Sequence, residues 1–131
     1  MIAQFTILTQ QKYQLINITS KIEEIVVEAK IEEGIVLVFV PHSTAGILLT
    51  EDEEGLKRDW LKFFEKIISG IDFEHNKIDN NAEAHLLAGL VGQSKVLPVK
   101  EGKLIRGSWQ EIFLVEFDGP RERKIIVKLF L

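Results

Sequence analysis

No cysteine occurs in the 131 residues of the chain, which removes disulfides, Cys-ligated zinc, iron–sulfur clusters and thiolate nucleophiles together. The redox compartment is therefore unreadable. Proline is scarce too, with three in all, and no stretch rich in Pro, Gly or Ser marks a linker or a low-complexity segment. No internal period suggests repeats. Long apolar runs are absent: none approaches the roughly 20 residues of a bilayer-spanning helix, and Met1-Ile2-Ala3-Gln4 lacks the basic and apolar regions of a secretory signal. No membrane partner is expected, and the cytoplasm is the expected location. Basic charge is not in surplus either. Sixteen Lys and Arg face 20 Asp and Glu, a net charge of -4, whereas a nonspecific nucleic-acid binder carries a basic excess. No nucleic-acid partner is expected. Residues 1 to 65 hold 6 basic and 11 acidic side chains, and residues 66 to 131 hold 10 and 9, so an anion site should draw its cations from the second half.

What is present is one ordinary domain, long enough to bury roughly two-thirds of the surface its unfolded form exposes. Residues 3 to 9 and 13 to 18 are rich in β-branched and aromatic side chains and predict two strands around Gln10-Gln11-Lys12. Ser20-Lys21-Ile22-Glu23 fits a capping box opening a helix whose apolar face is Ile22, Ile25, Val26 and Ala29, with Gly34 as its stop. The apolar run Ile35 to Val40 reads as a strand buried on both faces, and Ile47 to Thr50 as a second, short one. After Glu51-Asp52-Glu53-Glu54, the helical spacing of Leu56, Trp60, Phe63, Phe64 and Ile67 predicts a helix ending near Gly70. Asn80-Asn81-Ala82-Glu83 fits a second capping box, opening a short helix that ends near Gly92. The remainder predicts strands divided by Glu101-Gly102 and Asp118-Gly119-Pro120, with neighbours across short turns antiparallel. The expected fold is α+β in a single domain, 1–131: a mostly antiparallel sheet of about seven strands with three helices packed on it.

The chain has three histidines, His42, His75 and His85, each beside small or polar residues at an element boundary. His42 ends a strand and precedes Ser43, Thr44 and Gly46, whose backbone N–H groups suit close approach to an anion; a tight turn with self-bonded hydroxyls fits the same residues. His75 lies in a long loop-like stretch with Asp79 and Asn80 after it, and those two also suit helix capping. His85 shares a helix face with Asn81, Ala82, Ala88 and Gly89, leaving Leu86, Leu87, Leu90 and Val91 for the other side. The histidines suit a divalent metal, although nothing like His-Glu-x-x-His supports it; they equally suit acid–base work. Glu116, charged within an apolar strand, needs a partner or a task. Trp109-Gln110 offers an aromatic face and an amide to a heteroaromatic ring, and Arg121 and Arg123 suit bidentate grip on phosphate or ordinary exposure in a turn.

These residues together resemble the YjbQ-like family, which is associated with a secondary thiamine-phosphate synthase activity. Its His-Thr-Ser-Ala-Gly pattern matches His42-Ser43-Thr44-Ala45-Gly46 with the two hydroxyl residues exchanged, and Glu51 and Arg58-Asp59 follow in order. His75, Asp79-Asn80, His85-Leu86, Gly107-Ser108-Trp109-Gln110, Glu116 and Gly119-Pro120-Arg121 complete the match from Phe39 onward. Glu111 replaces a usual Gly, and Arg106 stands where an apolar residue is common. The resemblance implies a homotrimer with a pocket near the subunit boundary. It also implies a transferase joining the thiamine pyrimidine, as its methyl diphosphate, to thiazole phosphate. The implied substrate is thus small, and phosphorylated or heteroaromatic.

On that reading Arg121, Ser43, Thr44 and Gly46 hold phosphate, with Glu51 and Asn80 also binding substrate. Trp109 stacks on a ring, and Glu116 and Gln110 meet the pyrimidine edge from within the pocket. His42, His75 and His85 converge for proton transfer or for a divalent metal, Zn or Mg, with Asp79 as a further catalytic carboxylate. The alternatives are a metal-assisted hydrolase of a phosphorylated small molecule, with Asp79 or Glu51 as base, and a noncatalytic trimeric ligand-binding protein. The small-residue face around His85 is the expected subunit contact.

Overall fold

The computed structural model describes all residues, Met1–Leu131. Eight strands and three α-helices follow the order β1 (Ile2–Leu8), β2 (Gln14–Asn17), α1 (Thr19–Ala29), β3 (Glu33–Phe39), β4 (Ala45–Thr50), α2 (Glu54–Ile68), α3 (Ala82–Val91), β5 (Ser94–Lys100), β6 (Lys103–Leu104), β7 (Glu111–Glu116) and β8 (Glu122–Phe130). A single 3-10 turn, Glu74–Lys77, interrupts the loop before α3. The α+β class holds, but the strands form two antiparallel sheets in place of one: β1-β8-β3-β5-β6 and β2-β7-β4.

The main core fills the space between the sheets. Val36, Val38, Ile125, Val127 and Leu129 point in from the large sheet, Ile47, Ile112 and Leu114 from the small one, and Ile22, Ile25 and Val26 of α1 join them. Alternate residues of β7, Val115 among them, face a second core under α2 and α3 with Phe64, Leu87 and Phe117. This is the period-two consequence of pleating. It also corrects the reading of Ile35 to Val40 as buried on both faces: Val36 and Val38 are buried, while Ile35, Val96 and Phe130 stand exposed on the outer face of the large sheet.

Glu101-Gly102 does turn a hairpin, joining the antiparallel β5 and β6, but the turns at Gln10-Gln11-Lys12 and Asp118-Gly119-Pro120 are corners between sheets. β1 pairs with β8 and β2 with β7, so the β1–β2 and β7–β8 connections leave the large sheet for the small one side by side. They are bonded to each other by Thr9 N–H to Arg121 O at 2.9 Å and Gly119 N–H to Lys12 O at 3.1 Å. The β3–β4 connection crosses at the same corner, because Ala45, which opens β4, pairs with Glu116, which ends β7.

Helix ends depart from the expected caps where their side chains have other work. Thr19 N–H is capped by Asn17 Oδ1 at 3.0 Å, not by Ser20, and α1 stops at Lys30 in the left-handed region. Gly34 lies instead in β3, where a Cβ would sit 2.0 Å from Phe130 O. Ala82 N–H of α3 is capped by Asn76 Oδ1 at 2.9 Å, because the Asn81 amide is turned toward His75 and Asp118. Glu53 does cap α2, accepting from Gly55 and Leu56. The two faces of α3 match the expected sets only in part: Leu87 is buried alongside the alanines, and Gly89 is exposed. Ala82, Ala84 and Ala88 are buried and let the helix approach β4, while Leu86 and Leu90 are exposed.

Candidate functional site

The end of the main core at the shared corner is not apolar. Strand alternation brings Glu116 inward beside Ile112 and Leu114, and Arg123 inward beside Ile125 and Val127. They meet there, 0% and 2% exposed. The pair is bidentate: Arg123 Nε donates to Glu116 Oε1 at 2.8 Å and Arg123 Nη2 bonds Glu116 Oε2. Such forked geometry suits a guanidinium and a carboxylate. Thr9 Oγ1 donates to Glu116 Oε1 at 2.7 Å, Asp118 N–H donates to Glu116 Oε2 at 3.0 Å, and Arg123 Nη2 donates to Thr44 Oγ1 at 2.8 Å. No buried side-chain polar atom is left without a partner, the condition under which charges tolerate burial.

Above this floor lies a cleft of about 690 Å³ with no hydrophobic residue in its lining. Pro41, His42, Ser43 and Thr44 form one wall, Asp79, Asn81 and His85 another, and Asp118 to Arg123 much of the rest. His42 Nε2 accepts the Lys124 backbone N–H at 3.0 Å, which places the neutral ring's proton on Nδ1. Burial, and then the Arg123 guanidinium, hold this imidazole below its ordinary value; Glu116 opposes the shift, and Lys124 and Arg121 add to it. A second chain of bonds orders the other side. Arg121 Nη2 and Asn81 Nδ2 each donate to Asp118 Oδ2 at 3.1 Å, and Asn81 Oδ1 lies 2.8 Å from His75 Nε2. With the Asn81 amide committed to a carboxylate, its oxygen faces His75, so His75 donates from Nε2. His75 and His85 rings meet edge to face, 5.0 Å between centroids.

Of the residues singled out from the sequence, His42, Ser43, Thr44, Asp79, His85 and Arg121 share this cleft. His75 adjoins it through His85. Glu116 lies under the floor with its oxygens bonded, not in the lining, and Arg123 is its partner rather than an exposed turn cation. Gly46 meets the end of α3, where a Cβ would lie 2.9 Å from Gly92 O. Asn80 lines a separate hollow with Lys12 and Tyr13. Glu51, Trp109 and Gln110 lie away from the cleft. They adjoin the Thr50–Glu111 end of the β4–β7 pair, whereas the cleft is at the Ala45–Glu116 end, about 17 Å along the strands. Trp109 is 74% exposed, and Gln110 Oε1 accepts Gly107 N–H within its own turn. No three His, Asp or Glu side chains converge as a metal-ligand set, and the Nε2 atoms of His42 and His75 are already bonded, so the three histidines do not fit a zinc cage within one chain. Asp118 and Asn81 are the site residues that sequence reasoning passed over, as a turn former and a cap.

The fold and the cleft define a class: a single α+β domain with two antiparallel sheets and a histidine-lined polar site where they meet. The family model described as UPF0047 protein YjbQ-like matches residues 3–131, and the chain belongs to that family. It is 44% identical over 126 residues to a UPF0047 protein of Archaeoglobus fulgidus, covering 95% of this chain and 98% of that one. It is 34% identical over 130 residues to the UPF0047 protein YugU of Bacillus subtilis, covering 98% of each. A YbjQ-like protein of unknown function from Sulfolobus solfataricus superposes with a TM-score of 0.96 at 45% identity, over 98% of this chain and 95% of that one. A hypothetical protein from Aeropyrum pernix gives 0.95 at 37% identity, over 99% and 98%.

The His42 geometry generates a pH prediction. A lowered pKa means that, just below pH 6.5, the unfolded chain binds more protons than the folded one. This contribution to stability is therefore present above that pH and is lost as pH falls through the interval toward the folded pKa. NMR titration should find the His42 ring neutral, protonated on Nδ1 and titrating below 6.5. His42→Gln should flatten the matching fall in urea midpoint. A His42 that titrates above its ordinary value contradicts the geometry.

Proposed function

We propose that the cleft is an enzyme active site for a small phosphorylated substrate, and that the reaction is the one the family resemblance implies. That reaction joins pyrimidine methyl diphosphate to thiazole phosphate. The observation that carries the reading is the cleft itself: about 690 Å³, lined mostly by polar and charged residues, with Arg121, two hydroxyl residues and two histidines on one space. Arg121 is half exposed; its Nε and Nη2 donate to Asp118, which leaves the Nη1 side of the guanidinium for a phosphate group. Asp79 and Asp118 suit a phosphate that arrives as its Mg²⁺ complex, since Mg²⁺ is commonly held by one or two carboxylates together with substrate oxygens. In the proposed step the bond from the pyrimidine methyl carbon to diphosphate oxygen breaks and a bond to the thiazole nitrogen forms. Arg121 and the neutral His42 Nδ1–H stabilise the charge on the departing diphosphate, and His85 hands it a proton. Metal-assisted hydrolysis through a three-histidine cage has less support, because no such cage forms within one chain.

Assembly as a homotrimer belongs to the same reading. The resemblance supplies the count of three. Two features of the chain support assembly: the exposed apolar outer face of the large sheet, with Ile35, Val96 and Phe130, and the separation of Glu51, Trp109 and Gln110 from the cleft, which copies arranged head to tail would remove. No helix is long and apolar enough to cross a membrane, and the cytoplasm remains the proposed location.

Purified protein incubated with both substrates and Mg²⁺ should form thiamine phosphate, and Arg121→Ala should lower the rate by on the order of 10²-fold. Binding of the pyrimidine diphosphate with no product above background overturns the enzyme reading in favour of a ligand-binding protein. Light scattering should give three times the 15.0 kDa chain mass. A monomer at working concentration contradicts the assembly.

A further inference from the structure

Asn81 occupies the N-cap position of α3, yet its side chain makes no bond to the first turn of that helix. An asparagine so placed ordinarily offers its side-chain oxygen to a backbone N–H of the helix it precedes. Here Asn76, in the 3-10 turn, takes over that work: its Oδ1 accepts the Ala82 N–H and its Nδ2 donates to Glu83 Oε1 at 3.0 Å. The polar groups of Asn81 are all directed to the cleft and to His75. Its N–H donates to Asp79 O at 2.8 Å, and its carbonyl accepts the His85 N–H at 3.3 Å. Its Oδ1 accepts from His75 Nε2 at 2.8 Å, and its Nδ2 donates to Asp118 Oδ2 at 3.1 Å. One residue thus touches both walls of the cleft. A helix end that sets aside its own capping residue is a local preference overruled, and such conflicts gather where a site makes its own demands.

We infer that Asn81 is a positioning residue: it sets the His75–His85 side of the cleft against the Asp118–Arg121 side and carries the occupancy of the second to the first. The inference rests on the anion-binding reading of Arg121 and adds a route to it. Asp118 Oδ2 takes two donors, Arg121 Nη2 and Asn81 Nδ2, each at 3.1 Å. A phosphate on the open Nη1 side draws guanidinium charge away from Asp118, and the carboxylate then pulls harder on the Asn81 amide. Resonance ties the amide nitrogen to its oxygen, so a more strongly donating Nδ2 leaves a more negative Oδ1, which strengthens the bond from His75 Nε2–H. His75 is not part of the cleft lining, so its ring registers the ligand through this chain and not by contact. Without Asn81, Asp118 is left to Arg121 alone and competes with phosphate for the guanidinium.

NMR of the histidine ring nitrogens in the full chain, with inorganic phosphate as the probe in Mg²⁺ buffer, tests this with two alanine variants. At about pH 8, where an ordinary imidazole is neutral, the unaltered chain should hold His75 as the Nε2–H tautomer, and phosphate should shift that nitrogen's resonance. Asn81→Ala should fold, because Asn76 caps α3. It should leave His75 a mixture of tautomers, abolish the response to phosphate and weaken phosphate about fivefold, the worth of one hydrogen bond. Asn76→Ala should do the reverse: the urea midpoint falls with the lost cap, while tautomer and response persist and affinity stays within about twofold. An Asn81→Ala chain that fails to fold, or that keeps the tautomer and the response, overturns the inference. So does an Asn76→Ala chain that loses both, because Asn81 then only shares in the general order of the loop. Failure of the anion reading looks different: phosphate does not bind the unaltered chain, or binds Arg121→Ala equally well. That result overturns the coupling between the two sides even where the tautomer follows Asn81.

Discussion

The arrangement depends on one buried ion pair. Arg123 enters from the first residues of β8 in the large sheet, and Glu116 from the last residue of β7 in the small sheet. The pair therefore joins the sheets at the end of their common core. Three connections cross between sheets at this place, and each is bonded to it. Thr9, just after β1, donates to Glu116; Thr44, just before β4, accepts from Arg123; and Asp118, between β7 and β8, donates its N–H to Glu116. Thr9 Oγ1 also accepts the Arg121 N–H at 2.8 Å. An apolar plug at the same corner would bury as well, but it would not fix the directions of these connections.

That directional control links the core to the chemistry. The segment carrying Thr44 also carries His42 and Ser43, and the segment carrying Asp118 also carries Arg121. By holding Thr44 and the Asp118 backbone, the pair places opposite walls of the cleft. Arg123 further acts on His42 through space, keeping its imidazole neutral in concert with burial. The charges of the pair are satisfied internally, so their contribution is positional; His42, Ser43, Asp79, His85 and Arg121 line the cleft above it.

Much of this was legible in the sequence, for reasons that can be traced. His42, Ser43 and Thr44 follow directly on an apolar strand, and Arg121 follows a Gly-Pro turn, so both were bound to lie at strand ends. Period-two alternation also placed Arg123 in line with Ile125 and Val127, and Glu116 in line with Ile112 and Leu114; reading that parity through the charged residues would have found the pair. What was not legible depended on pairing. Whether a short turn makes a hairpin or a corner is decided by the partners of both strands, and β1 and β2 have different ones. The same ignorance hid the direction of β7, which carries Trp109 and Gln110 away from the cleft even though they neighbour Glu116 in sequence. The faces of α3 do not divide into a small and a large set: Leu87 is buried together with Ala82, Ala84 and Ala88, while Leu86 and Leu90 are exposed, and the close approach to Gly46 is made by Val91 and Gly92 O.

The central claim is that the Arg123–Glu116 pair holds the corner on which the cleft is built. Urea unfolding of a double-mutant cycle, with Glu116→Gln, Arg123→Met and both together, tests it most directly. Each single change leaves a buried charge unpaired, and should cost about 3–5 kcal/mol. The double change should cost well under the sum of the two, with a coupling of at least about 1 kcal/mol. Single changes that each cost less than about 1 kcal/mol and add without coupling would contradict the claim, because the two side chains would then be independent and the corner would be held by something else.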